Sequence, residues 1–320
     1  MSNIFVVSNS FAGVRVDNFI SNRLKRTIPK PYLHKIIRTG QVRVNGSRVK
    51  SASRLNTSDK VRIPPFLVEQ SSVRAKYVPP AKKMEDLASM LLENVIYEDK
   101  GILVIDKPSG VAVHGGSGLS YGVIEALRST NKFYDLELVH RLDKDTSGCL
   151  ILAKKRSSLR RLHEYLRDGD MITKRYSALC HSSLSKSKFL VDKPLLKIHD
   201  ISGQWKVIIA EDGKDSQTRF KCLKRMPSAR MFEAELITGR THQIRVHLAS
   251  EDSDIIGDSR YGCRKINDQY ANIIGTDRLF LHASSIFIKD YEDGKDLLVE
   301  AKLPEIFEIA ANKLSDVQVQ

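Results

Sequence analysis

The sequence predicts an α+β protein, and three observations carry that prediction. Candidate strands that are close in the chain are joined by hairpin-type turns, with helices inserted irregularly, which disfavours a regular βαβ array. At 320 residues the chain is long enough for a sizeable core and two domains. Charge is also placed unevenly. Residues 1–68 hold thirteen Lys or Arg against Asp17 and Asp59, a net of +11 out of the chain's +14, which leaves +3 on the other 252 residues. A basic segment beside a nearly balanced body reads as a polyanion-binding module attached to something else.

Residues 1–13 read as a short arm. From Arg15 the spacing is helical, with Val16, Phe19, Ile20 and Leu24 on one face. Pro29 and Pro31 interrupt it, and Pro31 suits the first turn of a second helix with Leu33, Ile36 and Ile37 inward and Gly40 as its stop. Val42 and Val44 alternate as a strand before the tight-turn pair Asn45-Gly46, and Val61 and Ile63 supply another. Residues 14–68 therefore form a helix–helix–hairpin module. Its apolar faces leave Lys25, Arg26, Lys30, Lys35, Arg38, Arg43, Arg48 and Lys50 for phosphates, contacts that give affinity and salt dependence but little sequence choice. Asn45 and Arg38 are the alternatives for touching bases.

Residues 69–90 read as a linker, because Ser71-Ser72, Pro79-Pro80 and Lys82-Lys83 come with few apolar residues; Met84 to Leu92 is a short helix at its end. A larger domain spans 91–313, with a tail at 314–320. It opens with strands at 95–97 and 102–105, joined through Glu98 to Gly101. Tyr121 to Leu127 and Leu159 to Leu166 are helical candidates, the latter capped by Ser157 or Ser158. Phe232, Ala234 and Leu236 alternate as a strand, and a final hairpin joins Ser285–Ile288 to Leu297–Ala301.

Several function classes are disfavoured. No apolar run is long enough to span a bilayer, and the apolar cluster Ile4 to Val7 lacks the flanks of a signal peptide. Cys149, Cys180, Cys222 and Cys263 show no Cys-x-x-Cys spacing, which fits small core residues in a reducing cytoplasm. His242 and His247 are five apart rather than four, no His-Glu-x-x-His occurs, and the zinc deaminase pattern is absent. No metal, redox cofactor or membrane partner is expected.

The stretch that organises the chain is His140-Arg141-Leu142-Asp143-Lys144-Asp145-Thr146-Ser147-Gly148, a polar turn between the apolar segments Leu136–Val139 and Cys149–Ala153. By composition alone it is an ordinary solvated turn. Asp143, Asp145, Ser147 and Gly148 match the opening of a calcium loop, but the twelfth position, which needs a bidentate Glu, is Lys154.

The His-Arg-Leu-Asp-x-x-Thr-Ser-Gly pattern resembles the signature around the catalytic aspartate of the RluA-type RNA pseudouridine synthases. Further segments are similar to that family: Val95 to Asp99 through Lys107-Pro108-Ser109-Gly110 and Val113-His114, then Lys174-Arg175-Tyr176-Ser177-Ala178, and Thr238 to His247. So are Gly257-Asp258-Ser259-Arg260-Tyr261-Gly262 and Leu281-His282-Ala283. With residues 14–68 resembling the S4 RNA-binding domain, the chain is most similar to the RluC-like branch. A departure is Val113-His114-Gly115-Gly116, where a Pro often follows the His.

The resemblance implies a pseudouridine synthase fold with a mixed, largely antiparallel sheet, no cofactor, and conversion of uridine to pseudouridine in 23S large-subunit ribosomal RNA by a cytoplasmic monomer. It implies Asp143 as nucleophile, Arg245 as its ion-pair partner, and Tyr176 stacking on the base or assisting removal of the C5 proton. Arg141 and His140 would bind substrate, Arg141 filling the gap left by an extruded nucleotide. From the residues alone, Tyr176 reads sooner as a core tyrosine at a strand end and Arg245 as a surface arginine near a helix start, and Arg141 and His140 are alternatively braces of the loop. Two other readings stay open: a non-catalytic RNA-binding or ribosome-assembly factor on the same fold, and an N-glycosidic hydrolase with a second carboxylate to activate water.

Overall fold

The structure, a computed structural model, describes residues 3–24, 28, 30–74, 82–115, 121–130, 132–133, 135–199 and 205–317. It divides into two units, Met1–Ala81 and Lys82–Gln320.

In the first unit, β1 (Ile4–Val6), α1 (Val16–Arg23), α2 (Lys30–Arg38), β2 (Arg43–Val44), β3 (Lys60–Arg62) and α3 (Pro65–Arg74) follow in order. The antiparallel sheet runs β1-β3-β2. Phe19, Ile20, Leu24, Leu33, Ile36, Ile37, Val61 and Ile63 close one small core, as the helical and alternating spacings require. Residues 1–13 are not a free arm: Ile4 to Val6 pair with Arg62 to Lys60, Val7 is buried, and the Phe11 ring packs edge-on against Phe19 at 5.2 Å. Short apolar stretches of this kind gain stability only through a partner strand distant in sequence, which a local pattern does not reveal. Asn45 and Gly46 both take positive φ in the tight turn. The Asn45 side chain is occupied there, accepting from the Lys60 amide at 2.8 Å and donating to Asp59 at 2.8 Å, so it is a fold residue rather than a base reader.

The expected linker 69–90 is corrected at both ends. Residues 69–74 continue α3, which Pro65 starts and buried Leu67 anchors, while α4 (Lys82–Glu93) buries Ala88 and Leu91 in the second core. The segment between, with Pro79-Pro80, lies outside the described residues.

The second unit continues with β4 (Val95–Glu98), β5 (Ile102–Lys107), α5 (Val123–Ser129), β6 (Glu137–Leu138), β7 (Ser147–Ala153), α6 (Arg156–Asp168) and β8 (Ile172–His181). After these come β9 (Lys188–Asp192), β10 (Leu195–His199), β11 (Trp205–Ile209), β12 (Gln217–Arg225), β13 (Ala229–Leu236), α7 (Gln243–Ala249), α8 (Arg264–Ile274), β14 (Leu281–Glu292), β15 (Lys295–Glu300) and α9 (Glu305–Lys313). The main sheet runs β4-β5-β7-β14-β8-β13-β12-β9, with β15 on β14 and β6 on β7, while β10 and β11 form a separate hairpin. Its pairings are antiparallel except β7 with β14, so it is mixed and largely antiparallel, as expected. The helix expected at 121–127 lies at Val123–Ser129, and α6 is entered through Lys155 without a side-chain cap rather than through Ser157 or Ser158. Leu314, expected in a tail, is buried with Phe307 and Ala310.

The parallel β7–β14 contact is short, pairing Ser147 with His282 and Gly148 with Ala283. Gly148 has φ +107°, and a Cβ there would lie 2.2 Å from the Ala283 carbonyl oxygen. Only glycine fits. Gly148→Ala is expected to cost about 2–4 kcal/mol through backbone strain and the displaced strand, read as a lowered urea midpoint at unchanged m-value.

Candidate active site

The polar turn after β6 is fixed from three sides. Lys107, fully buried at the end of β5, donates from Nζ to the carbonyls of Pro108 and Val111 at 2.8 Å and of Lys144 at 2.9 Å, tying the loop after β5 to the turn. Burial pulls its pKa down to about 7, against the opposing charges of Asp145 and Asp143. Ser109 Oγ donates to the Asp145 carbonyl at 2.7 Å. Ser147 Oγ accepts from Arg278 Nη2 at 2.9 Å and lies 2.9 Å from His282 Nδ1. Three tethers therefore hold a segment whose composition alone describes a solvated turn.

Asp143 stands on that turn at the wall of a cavity of about 350 Å³, which is also lined by Arg141, Lys174, Tyr176, His242 and Arg245. Arg245 lies on α7, buried to 9% exposure. Its Nη1 donates to Asp143 Oδ2 at 3.0 Å, while Nε and Nη2 donate to Asp258 Oδ2 and Oδ1 at 2.7 and 2.8 Å. The guanidinium fork thus bridges two carboxylates in a manner that a lysine could not reproduce. Burial works against its charge, but the two carboxylates outweigh it and hold its pKa above the ordinary arginine value. It is a buried arginine, not the surface one that helix position alone suggests.

Asp258 also accepts the amides of Arg260 at 2.9 Å and Tyr261 at 3.1 Å. Burial pushes its carboxyl up, yet Arg245 and these amides more than compensate and keep it below the usual range. A carboxylate so fully engaged is a poor base for water.

His242 precedes α7 in the left-handed region, at φ 55°, and presents Nε2 to Asp143 Oδ2 at 3.5 Å. Burial lowers its pKa to about 4 against the Asp143 charge, so the ring is neutral at pH 7. Its Nδ1 meets the Tyr261 hydroxyl at 2.7 Å, that oxygen accepts the Val207 amide at 3.2 Å, and the Trp205 ring covers the imidazole at 4.9 Å between centroids. With the Tyr261 proton directed to Nδ1, the imidazole proton sits on Nε2 and faces the carboxylate. Gln243 pins the loop ahead of α7, accepting from Thr238 Oγ1 and the Arg240 amide and donating to Thr218 Oγ1 and the Gln217 carbonyl. His247 is turned elsewhere, its ring nitrogens bonded to Thr218 and the Lys193 carbonyl, so the two histidines of this segment do not converge.

Tyr176 is buried within β8, and burial together with the Asp143 charge pushes its phenol well above the usual value. His140 accepts the Ile151 amide through Nε2 at 3.1 Å, and burial lowers its pKa to about 3, which makes it a neutral brace between turn and β7 that still lines the cavity. Arg141 is exposed at the cavity, and its side chain has no bond among the described residues. In the first unit, Lys35, Arg38 and Lys50 line one groove of about 420 Å³ with His34 and Ser51. Arg48 lies against Gly40, and Arg43 is half-buried in β2. Lys25, Arg26 and the side chain of Lys30 lie outside the described residues.

Sequence reasoning does not find Asp258, His242 and Tyr261 as members of the site. One signal is available: His242 and Arg245 are three residues apart at a helix start and so share a face. Nothing local assigns Asp258 to Arg245; Asp-Ser-Arg-Tyr-Gly reads only as a turn.

The arrangement is a carboxylate on a braced turn, bonded to a buried arginine and sharing a cavity with a buried tyrosine, over a mixed and largely antiparallel sheet. Residues 101–250 match the family model for RNA pseudouridylate synthase. The chain is 43% identical to the ribosomal large subunit pseudouridine synthase C of Pasteurella multocida, over 96% of this chain and 92% of that protein. It is 46% identical to the protein of the same name from Vibrio parahaemolyticus, over 88% and 86%. Among solved structures it is similar to human RNA pseudouridylate synthase domain containing 4, at 26% identity and TM-score 0.60 over 72% of this chain and 97% of that one. The chain belongs to the RNA pseudouridylate synthase family and is an RNA pseudouridine synthase. Among the described residues no helix is long and apolar enough to cross a membrane.

Proposed function

We propose that the protein isomerises uridines of large-subunit ribosomal RNA to pseudouridine, with Asp143 as the reacting carboxylate. The N1–C1′ bond breaks, the uracil turns, C5 bonds to C1′, the C5 proton leaves and N1 takes up a proton; the product is an isomer, nothing is oxidised and no water is consumed. The observation that carries this reading is the Arg245 fork. It fixes Asp143 at the wall of a cavity that Tyr176 also lines, while occupying Asp258, the other carboxylate bonded to it among the described residues. That occupation speaks against the N-glycosidic hydrolase, which needs a second carboxylate to activate water. The raised phenol of Tyr176 supports a stacking role over a basic one, since a tyrosine kept protonated accepts no proton from C5. The names of the relatives support the large ribosomal subunit as the source of the RNA. Pseudouridine mapping of ribosomal RNA from cells lacking the protein tests the proposal: specific large-subunit positions should revert to uridine and be restored by the wild-type chain. An unchanged map would refute it.

The first unit acts in this reading as an S4-like RNA-binding module. Its helix pair, its sheet and the groove formed by Lys35, Arg38 and Lys50 support that role. Replacing these three residues by alanine is expected to weaken RNA binding. The slope of log K against log salt should fall by about 0.7 for each phosphate of single-stranded RNA that no longer meets a cation. Filter binding between low and moderate salt measures this, and an unchanged slope would remove the groove from the interface.

A further inference from the structure

Strand β8 places Lys174 and Tyr176 two residues apart and so on one face of the sheet, and both line the Asp143 cavity. Two buried cations that hold or adjoin the Asp143 turn are fully supplied with acceptors: Lys107 holds three carbonyls, and Arg245 spans two carboxylates. Lys174 differs. Among the described residues its ammonium makes no ion pair or hydrogen bond, although the side chain is half-buried and burial lowers its pKa. Leu166, Ile172, Leu236 and the uncharged His140 ring line the same cavity, and the carboxylate in its lining, Asp143, is bonded to Arg245 instead. Gly239 leaves the ammonium room, since a Cβ at that position would come within 3.3 Å of Nζ. A desolvated cation without a partner is costly in the free protein, so its retention in a binding cavity points to an acceptor that arrives with the ligand.

We propose that Lys174 is a substrate-binding residue whose ammonium donates to an oxygen of the extruded target nucleotide while its uracil lies against Tyr176. This rests on the reading of the cavity as the uridine site. Two oxygens fit the chemistry, a phosphate oxygen flanking the target and a uracil carbonyl oxygen, and the same interaction would serve either. Binding then gains a charge-assisted hydrogen bond that the free protein lacks. Lys174 contributes to substrate affinity at a cost to the stability of the empty enzyme.

The test compares Lys174→Met with wild type in the full-length protein. Methionine keeps much of the apolar stem and removes the charge, so the free variant should unfold at the same temperature as wild type or higher. On an RNA containing the target uridine, kcat/KM should fall roughly 10- to 100-fold, the size of a lost hydrogen bond to a charged group. RNAs with a neutral methylphosphonate linkage beside the target, or with 2- or 4-thiouridine at it, identify the acceptor. The substitution that removes it should slow wild type but cost the variant nothing further. Wild-type kcat/KM in the variant, equal penalties for every substitution in both proteins, or a Tm loss typical of a core residue would each overturn the assignment. A wild-type protein that makes no pseudouridine in the unmodified RNA would instead overturn the uridine reading itself.

Discussion

Asp143→Asn should abolish pseudouridine formation, by roughly a thousandfold or more as for loss of a reacting nucleophile, while RNA affinity is kept. The substitution is nearly isosteric, and it leaves the Arg245 bonds to Asp258 in place. The turn is held by Lys107, Ser109 and Ser147 through groups other than the Asp143 side chain, so the loop should stay where it is. Removing one negative charge from the cavity adds no repulsion toward a polyanion. Release of tritium from uridine C5 measures the reaction, and filter binding measures the affinity. Undiminished tritium release would sink the assignment of Asp143; parallel loss of release and binding would mean that the carboxylate supports the site rather than reacts in it.

The second large effect concerns Arg245. Arg245→Leu leaves Asp143 and the buried Asp258 without their shared cation, and an uncompensated buried charge of this kind costs about 3–5 kcal/mol. The pH dependence has a definite sign. In the wild type the Asp258 carboxyl, though raised by burial, is held below its ordinary value by Arg245 and two amides. A depressed carboxylate contributes stability that is complete above its unfolded pKa, about 4, and that is lost as pH falls through the folded value. In the variant burial acts without the arginine, and protonation relieves the strain. The stability gap between the two proteins should therefore be widest near pH 7 and narrow below about pH 4. Urea unfolding at both pH values checks it, and a gap independent of pH would count against the ion pair as its source. Arg245→Lys should restore charge but only part of the stability, because an ammonium cannot span both carboxylates.

How much of this is legible in the sequence depends on the range of each interaction. The faces of α1 and α2, the strand at β13 and the hairpin of β14 with β15 follow from spacing alone, because their patterns are complete within short, continuous stretches of chain. β1 escapes such a reading because its partner lies more than fifty residues further on, and residues 69–74 because serines and charges hide the continuation of α3. Asp143, Tyr176 and Arg245 stand out through a family pattern, and the structure brings all three to one cavity. Their support is not legible. Nothing in Asp-Ser-Arg-Tyr-Gly states that Asp258 will clamp an arginine thirteen residues earlier, nor does Lys107-Pro108 reveal which carbonyls the ammonium will gather. These are pairings of polar groups whose value arises only when the fold removes them from water.

The parallel pairing of Ser147 and Gly148 with His282 and Ala283 also sets an order of events in the making of the enzyme. It joins positions 135 residues apart, and the ring of His282 is one of the groups that holds the turn carrying Asp143. While the chain emerges from a ribosome, everything up to α8 can be present and the carboxylate still lacks one of its supports. Only when β14 inserts between β7 and β8 does the central sheet become continuous. Pairings of such long sequence separation form late and slowly. The modifying centre should thus mature as one of the last steps of folding, so that a nascent chain whose basic first unit is already complete carries no finished active site.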